Sequence, residues 1–323
     1  MSMQTTVLAG DIGGTKTWLR LSSSGEVLRE ERYDSAAFAG LSPMVAAFLG
    51  DAVPERACFG VAGPVRDGCS QITNLPWRIE AAEIAARFAI PRVALINDFQ
   101  AVAYGIEALA PGDLLTLQAG RVRENGPCAV IGAGTGLGEG YLVWHDGAYQ
   151  ALPSEGSHAD FAPADELQAD LWRWLKIRHG HVSWERVVSG PGLEAIYHFL
   201  RERGDLAESA LLAEMMRAGD GAAAISEFAL THRDPLASAA LDLFVAAYGA
   251  EAGNLALKIL ASGGVYVAGG IAPKIAERLA DGGFMRAFCA KGRFEELLEN
   301  VPVRVVLNPQ VGLLGAEVVA SRR

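Results

Sequence analysis

Four cysteines in 323 residues leave little room for covalent cross-linking. Cys58, Cys69, Cys128 and Cys289 show no Cys-x-x-Cys spacing and no accompanying histidine cluster. A disulfide scaffold and a thiolate zinc site are therefore not expected, and free, buried thiols in a reducing cytoplasm are. Positive charge is also short: 28 Lys and Arg against 38 Asp and Glu give a formal net charge of −10. Such a surface repels nucleic acid and anionic membranes, so neither is an expected partner. No apolar run approaches membrane-spanning length, and the N-terminus lacks a basic segment ahead of an apolar stretch, so the expectation is a cytoplasmic protein. An anionic ligand would then have to be held locally, by backbone amides, side-chain cations or Mg²⁺.

Glycine is plentiful, at 37 residues, and two clusters stand out. Gly10-Asp11-Ile12-Gly13-Gly14-Thr15 lies between the strand-like runs Thr6–Ala9 and Thr17–Leu21. Gly132-Ala133-Gly134-Thr135-Gly136-Leu137-Gly138 lies between Cys128–Ile131 and Tyr141–Trp144. A strand–turn–strand unit presents backbone N–H groups at its tip, where they can hold anionic oxygens. Neither cluster fits the better-known phosphate loops. A Walker A loop wants glycine where Thr15 stands and then a helix, whereas β-branched and aromatic residues follow here. A dinucleotide loop likewise opens a helix. Each turn read alone is equally a tight hairpin whose glycines serve positive φ. As a pair, each with a threonine able to bond a phosphate, they suggest two halves gripping one polyphosphate.

Half the residues are hydrophobic, and the length suits two domains. Ala57–Ala62 and Val93–Ile96 read as buried strands, Ala81–Phe88 and Phe99–Ala108 as helices. Pro111-Gly112-Asp113 breaks the chain. Beyond the second hairpin, Glu166–Lys176, Leu193–Arg203 and most of 205–262 read as helical. Gly264–Ala268 is a strand closed by Gly269-Gly270 and followed by a helix from Pro273, and Val303–Leu307 is the final strand. The apolar helix Leu313–Ala320 is expected to pack back on the first domain. The expected division is 1–108 plus 311–323 for a small domain and 109–310 for a large one. Both halves open on a hairpin and glycine turn, a coarse duplication.

These segments, with Gly60-Val61-Ala62-Gly63-Pro64, Leu95-Ile96-Asn97-Asp98-Phe99, Pro153-Ser154-Glu155-Gly156-Ser157-His158, Glu185-Arg186-Val187-Val188-Ser189-Gly190-Pro191-Gly192 and Val267-Ala268-Gly269-Gly270-Ile271, resemble the hexokinase–actin–sugar kinase superfamily. Within it the chain is most similar to the bacterial ATP-dependent glucokinases. The related repressor, open-reading-frame and kinase group usually carries a histidine–cysteine zinc site after its glutamate-x-x-histidine segment. Nothing after His158 supplies one, so the zinc-free branch fits better. The resemblance implies an α/β fold of two ribonuclease-H-like domains with an interdomain cleft that closes on the sugar. It implies ATP, Mg²⁺ and glucose as ligands and a homodimer as the assembly.

It also assigns roles. Asp98 would be the base that accepts the proton of the sugar 6-hydroxyl. On residue pattern alone it is equally a helix N-cap. Asn97, Glu155, His158 and Glu185 would join Asp98 in clamping the sugar hydroxyls. On pattern alone Glu155 and His158 could sit in a solvated loop, and Glu185 in the first turn of a helix. Gly134 and Thr135 would approach the sugar or the transferring phosphate. Gly10, Asp11, Ile12, Gly13, Gly14 and Thr15 would meet the phosphates together with Gly134, Thr135 and Gly136, while Gly269 and Gly270 let the adenosine lie close to the backbone. Asp11 would hold Mg²⁺, directly or through water. Asn74 and Trp77 are weaker candidates for the sugar entrance. Two other functions compete: a kinase for another hexose or phosphoryl donor, and a non-catalytic sugar-sensing regulator. The regulator would need a DNA-binding module, and so few residues precede the first hairpin that none is expected.

Overall fold

The computed structural model describes residues 5–72, 75–219, 221–232 and 234–322. It divides into two compact α/β units. The first comprises Met1–Pro111, Ala148–Pro153 and Asn308–Arg323, the second Gly112–Gly147 and Ser154–Leu307. The chain thus passes between units four times, after Pro111, Gly147, Pro153 and Leu307. The excursion at Ala148–Pro153 departs from the two-part division read from the sequence. Its carbonyls explain the grouping: Ala151 O accepts from Gln100 Nε2 (3.4 Å) and Tyr149 O from Arg322 Nη1 (2.6 Å).

The first unit is built on a five-stranded sheet in the order Glu26–Asp34, Lys16–Ser23, Thr6–Ile12, Arg56–Val61, Arg92–Asn97. The first three strands run antiparallel and the last three parallel. Alternation along Thr6–Ile12 sends side chains to opposite faces. Leu8 and Ile12 join Leu19, Phe59, Val61 and Leu95 in a core covered by the helix Leu41–Leu49. Val7 and Ala9 face the other way, with Cys58, against Leu313, Ala316 and Ala320 of the helix Val311–Ser321. The apolar C-terminal segment therefore packs on this unit, as its composition indicates. A buried ion network fastens it there: Arg20 meets Glu30 (2.6 Å) and Glu317 (2.9 Å) and donates to Gln310 (3.2 Å). These partners hold the Arg20 guanidinium above its ordinary pKa despite its burial. The edge strand Glu26–Asp34 is charged and largely exposed, which hides it from a search for apolar alternation. Trp77 is 3% exposed and belongs to the core, not to a sugar entrance. Asn74 lies outside the described residues.

The second unit repeats the plan. Its sheet has six strands in the order Ala148–Ser154, Leu137–His145, Cys128–Ala133, Gly264–Ala268, Val303–Val306, Leu114–Gln118: Leu137–His145 and Cys128–Ala133 form the antiparallel hairpin, Gly264–Ala268 and Val303–Val306 add in parallel, and Leu114–Gln118 closes one edge antiparallel. A hairpin followed by two parallel neighbours is common to both sheets, so the coarse duplication in sequence is a duplication of topology. The core is dominated by the 25-residue helix Pro235–Ile259. Its Gly249 and Gly253 admit the carbonyls of Phe284 and Phe288 from the helix Gly283–Cys289, 2.2 and 2.4 Å from where a Cβ would stand. The segment after Pro273 forms a 3₁₀ turn, Ala272–Ile275, and only then a five-residue α-helix, Ala276–Ala280. All four cysteines are free thiols. No helix among the described residues is long and apolar enough to cross a membrane.

Candidate active site

In the first unit, the hairpin Thr6–Ser23 closes on the pair Ile12 and Thr17. Its tip is braced from beneath. Ser35 Oγ donates to Gly13 O (2.8 Å), Ser35 N to Thr15 O (3.0 Å), and the Thr17 and Ser35 hydroxyls meet at 3.0 Å. The Gly13 N–H turns inward to Lys16 O (3.0 Å), but among the described residues those of Gly14 and Thr15 meet no protein acceptor. None of Gly10, Gly13 and Gly14 has a positive φ. Space, rather than left-handed backbone, requires glycine here: a Cβ on Gly10 would stand 2.5 Å from the Phe59 ring and one on Gly13 2.8 Å from Lys16 O.

Asp11 sits in the last turn of the same strand, between Trp18 and Gly60 on its neighbours. Burial, and secondarily the charge of Asp98, push its carboxyl up to about 7. Two carboxylates close enough to repel are a place where a divalent cation is electrostatically welcome. Two carboxylates as the protein's share of the donors fit Mg²⁺, which keeps most of its water and takes phosphate oxygens.

Asp98 follows the strand Arg92–Asn97 and opens the helix Asp98–Gly105. Its Oδ1 accepts from Phe99 N (2.9 Å), but Asp98 is the first helical residue and not the N-cap. Asn97 is the N-cap: its Oδ1 accepts from Phe99 N (2.8 Å), and Gln100 Oε1 returns the bond to Asn97 N (3.2 Å), a complete capping box. Asn97 Nδ2 also donates to Gly63 O (3.2 Å). Asp98 is half-buried in the first turn, where the helix dipole favours a carboxylate. Two glycine crossings set this helix against Val311–Ser321. A Cβ on Gly315 would stand 1.7 Å from Ala101 O, and one on Gly105 2.0 Å from Val311 O. The same approach brings Gly312 against the Asp11 carboxylate, 3.0 Å from a Cβ position to Oδ2. Close helix packing thus fixes both acidic side chains.

In the second unit the turn Gly134–Gly136 is held on three sides. Gly134 N bonds Gly136 O (2.8 Å), Gly190 N bonds Gly134 O (2.8 Å), and Ile271 N bonds Ala133 O (3.2 Å). Beneath it the fully buried Tyr248 hydroxyl accepts from Ala133 N (3.1 Å) and lies 3.3 Å from Ile131 O. The N–H groups of Thr135 and Gly136 meet no protein acceptor among the described residues, so this tip, like the first, presents bare amides. No glycine of the turn has positive φ. Gly136 answers to crowding by Glu185, whose Oε2 lies 2.6 Å from a would-be Cβ and accepts the Leu137 N–H at 3.0 Å.

Glu185 lies in the 3₁₀ turn Trp184–Arg186, ahead of the Ser189-capped helix Gly190–Arg203. Ser189 Oγ donates back to Glu185 O (2.7 Å). The neighbouring turn Gly156–His158 is joined to it through Trp184 N and Ala159 O (3.1 Å) and the bridge between Asp160 and Ser183. Glu155 and His158 are exposed, with His158 Nε2 3.9 Å from Glu155 Oε2. The structure therefore brings Glu155, His158, Glu185, Gly134, Thr135 and Gly136 into one connected region of the second unit, and Asp11, Asn97 and Asp98 into one region of the first.

Gly134 and Thr135 also line a cavity of about 430 Å³ with Gly190, Glu194, Gly270 and Lys274, among others. That volume lies within the range of small-molecule sites. Gly269 is in the left-handed region (φ 84°), and its Cβ would collide with Ala133 O at 2.5 Å; only glycine passes there. Sequence reasoning missed Glu194, Ser226 and Lys274. Lys274, four residues past Gly270, was visible as a cation after a glycine pair. Glu194 and Ser226 enter through the helices Gly190–Arg203 and Gly221–Glu227, which no local pattern relates.

A glucokinase family model matches residues 8–323. The glucokinase of Trichormus variabilis is 49% identical, covering 98% of this chain and 99% of its own length. That of a Nostoc species is 50% identical with the same coverage. Among solved structures, the glucokinase of an Antarctic psychrotroph superposes with a TM-score of 0.87 at 32% identity, covering 98% of each chain. Family model, relatives and shared fold agree over nearly the whole length, and the chain belongs to the glucokinase family.

Proposed function

We infer that this protein transfers the terminal phosphoryl group of ATP to the 6-hydroxyl of D-glucose. The observation that carries the reading is the Gly134–Gly136 turn. One side of it lines the 430 Å³ cavity, and its other side is locked to Glu185. A phosphate-holding turn and a hydroxyl-accepting carboxylate are thereby one rigid assembly, which suits a reaction that joins a nucleotide to an alcohol.

Phosphoryl transfer asks mainly for positioning and charge stabilisation. The bare amides of Gly14, Thr15, Thr135 and Gly136 are donors for phosphate oxygens. The cavity takes the nucleoside, with Gly270 giving it open backbone to lie on. Glu155, His158 and Glu185 accept from and donate to sugar hydroxyls, and the remaining amide hydrogen of Asn97 is free for one more. Asp98 orients the reacting hydroxyl and accepts its proton, a contribution typically of about 10²–10⁴-fold. Asp11 holds Mg²⁺, which neutralises charge on the phosphates when bound.

The reading extends to a cytoplasmic enzyme, active as a homodimer, with no nucleic-acid or membrane partner; the acidic surface, at a net charge of −10, supports the last point. A coupled assay with ATP across glucose, mannose, fructose and N-acetylglucosamine tests it. Glucose is expected to give the highest kcat/KM, and a higher value for another hexose overturns the substrate assignment. Size-exclusion chromatography with light scattering tests the dimer.

A further inference from the structure

One buried acid has no part in that scheme. Glu139 lies on the strand Leu137–His145, opposite Ile131, and is 2% exposed. Both of its carboxyl oxygens are inaccessible and find no hydrogen-bond partner of good geometry. A carboxylate in that position would be a desolvated, uncompensated charge. What it touches is informative. Gly156, first residue of the turn between Glu155 and His158, is pressed against it: a Cβ there would stand 2.2 Å from Glu139 Oε2 and 3.3 Å from Cδ. The turn is also held by Ser154, whose Oγ accepts from Gly156 N (2.9 Å) and stands 3.0 Å from the same Cβ position.

We propose that Glu139 is a positioning residue for glucose: a buried carboxyl group that forms the floor on which the Glu155–His158 turn rests. The proposal rests on the assignment of Glu155 and His158 to the sugar. It explains why residue 156 is glycine although its φ is not left-handed. It also explains the absence of a cation for Glu139. The helix Pro235–Ile259 faces it with Tyr248, Glu251 and Lys258. Lys258 is already paired with the fully buried Glu251 (3.1 Å), and Asn254 donates to the other Glu251 oxygen (2.8 Å). Lys291 donates to Ala250 O (2.9 Å), and its charge reaches Glu251. Tyr141, on the same strand as Glu139, bears on Lys258, and Ser154, Gly156 and Ser157 bring no charge. Burial first and the Glu251 charge second push the Glu139 carboxyl up to about 7, against the pull of Lys258.

Ionisation of Glu139 would thus add a second carboxylate beside Glu251 and draw water or a shift of the turn into the floor. The sign is set: the neutral form is the one native packing prefers, so glucose binding is intact below about pH 7 and weakens as pH rises through it.

The test uses the full-length enzyme at pH 6–9 with saturating ATP. The unmodified enzyme is expected to show a glucose KM rising about fivefold or more across that range, with ATP KM nearly constant. Glu139→Gln, neutral at every pH, should flatten the rise in glucose KM while leaving kcat within about threefold. A second pair guards against a misfolded variant. Gly156→Ala should raise glucose KM about tenfold or more, and Glu139→Ala added to it should recover much of that loss, because the obstructing carboxyl is gone. Superimposable glucose KM profiles for the unmodified enzyme and Glu139→Gln, or a double variant no better than Gly156→Ala, overturn this proposal alone. No glucose turnover by the unmodified enzyme at any pH overturns the activity assignment, and this proposal with it.

Discussion

The two units share a sheet topology but divide the labour. The first carries acids, Asp11 and Asp98, fixed by helices that cross at Gly105 and Gly315. Its glycine turn is braced by one serine, Ser35. The second carries a cavity and a turn tied to four other segments, through Glu185, Gly190, Ile271 and Tyr248. Duplication of a fold has preserved the sheet plan and the bare amides at both tips. In the proposed scheme the proton-accepting and metal-holding acids lie in one copy, and most of the sugar and nucleotide contacts in the other. A lesion in the first unit should therefore fall on kcat, and a lesion in the second on KM.

The largest effect expected is from Asp98→Asn. Turnover should fall about 10³-fold while calorimetric glucose affinity changes little; comparable losses in both would erase the division. Gly136→Ala forces a methyl into the Glu185 carboxylate, so glucose KM should rise about thirtyfold with a smaller loss in kcat. Its steady-state profile then contrasts with that of Asp98→Asn. Gly315→Ala strikes the helix crossing under the acids. Overpacking against the Ala101 carbonyl should cost about 3 kcal/mol in denaturant unfolding, and more of the residual activity loss should sit in kcat than in KM. Lys274→Ala, at the cavity rim and exposed, should raise ATP KM only about two- to fourfold and leave glucose KM alone. A change in glucose KM of the same size would mean that cavity and sugar region are less separate than the geometry indicates.

Much of this was legible in the residue order. Both hairpins, the strands after them and the apolar helix near residue 313 announce themselves through β-branched alternation and glycine placement. The acid pair at the end of a buried strand was equally plain, but which of Asn97 and Asp98 capped the helix was not. That choice depends on Gln100 completing the box three residues on, and on Gly63 receiving the Asn97 amide from a distant segment. The strand Glu26–Asp34 was missed because its polar, exposed side chains follow the solvent side of an edge. The Ala148–Pro153 excursion was missed because carbonyl groups, not side chains, tie it to the first unit. Glu139 could not be found by pattern, since only the tertiary contact with Gly156 distinguishes it from an ordinary strand glutamate. The glycine turns carry a different lesson. A left-handed backbone was one reading of their glycines, and the folded chain instead needs Gly10, Gly13 and Gly136 for room.

The helix Val311–Ser321 covers one face of a sheet whose strands are all complete by Asn97. During synthesis that face, with Val7, Ala9 and Cys58, waits uncovered while the entire second unit is made. Until Val311–Ser321 emerges, a nascent chain leaves the patch under Leu313, Ala316 and Ala320 without its cover, an apolar surface of the kind through which partly made proteins associate.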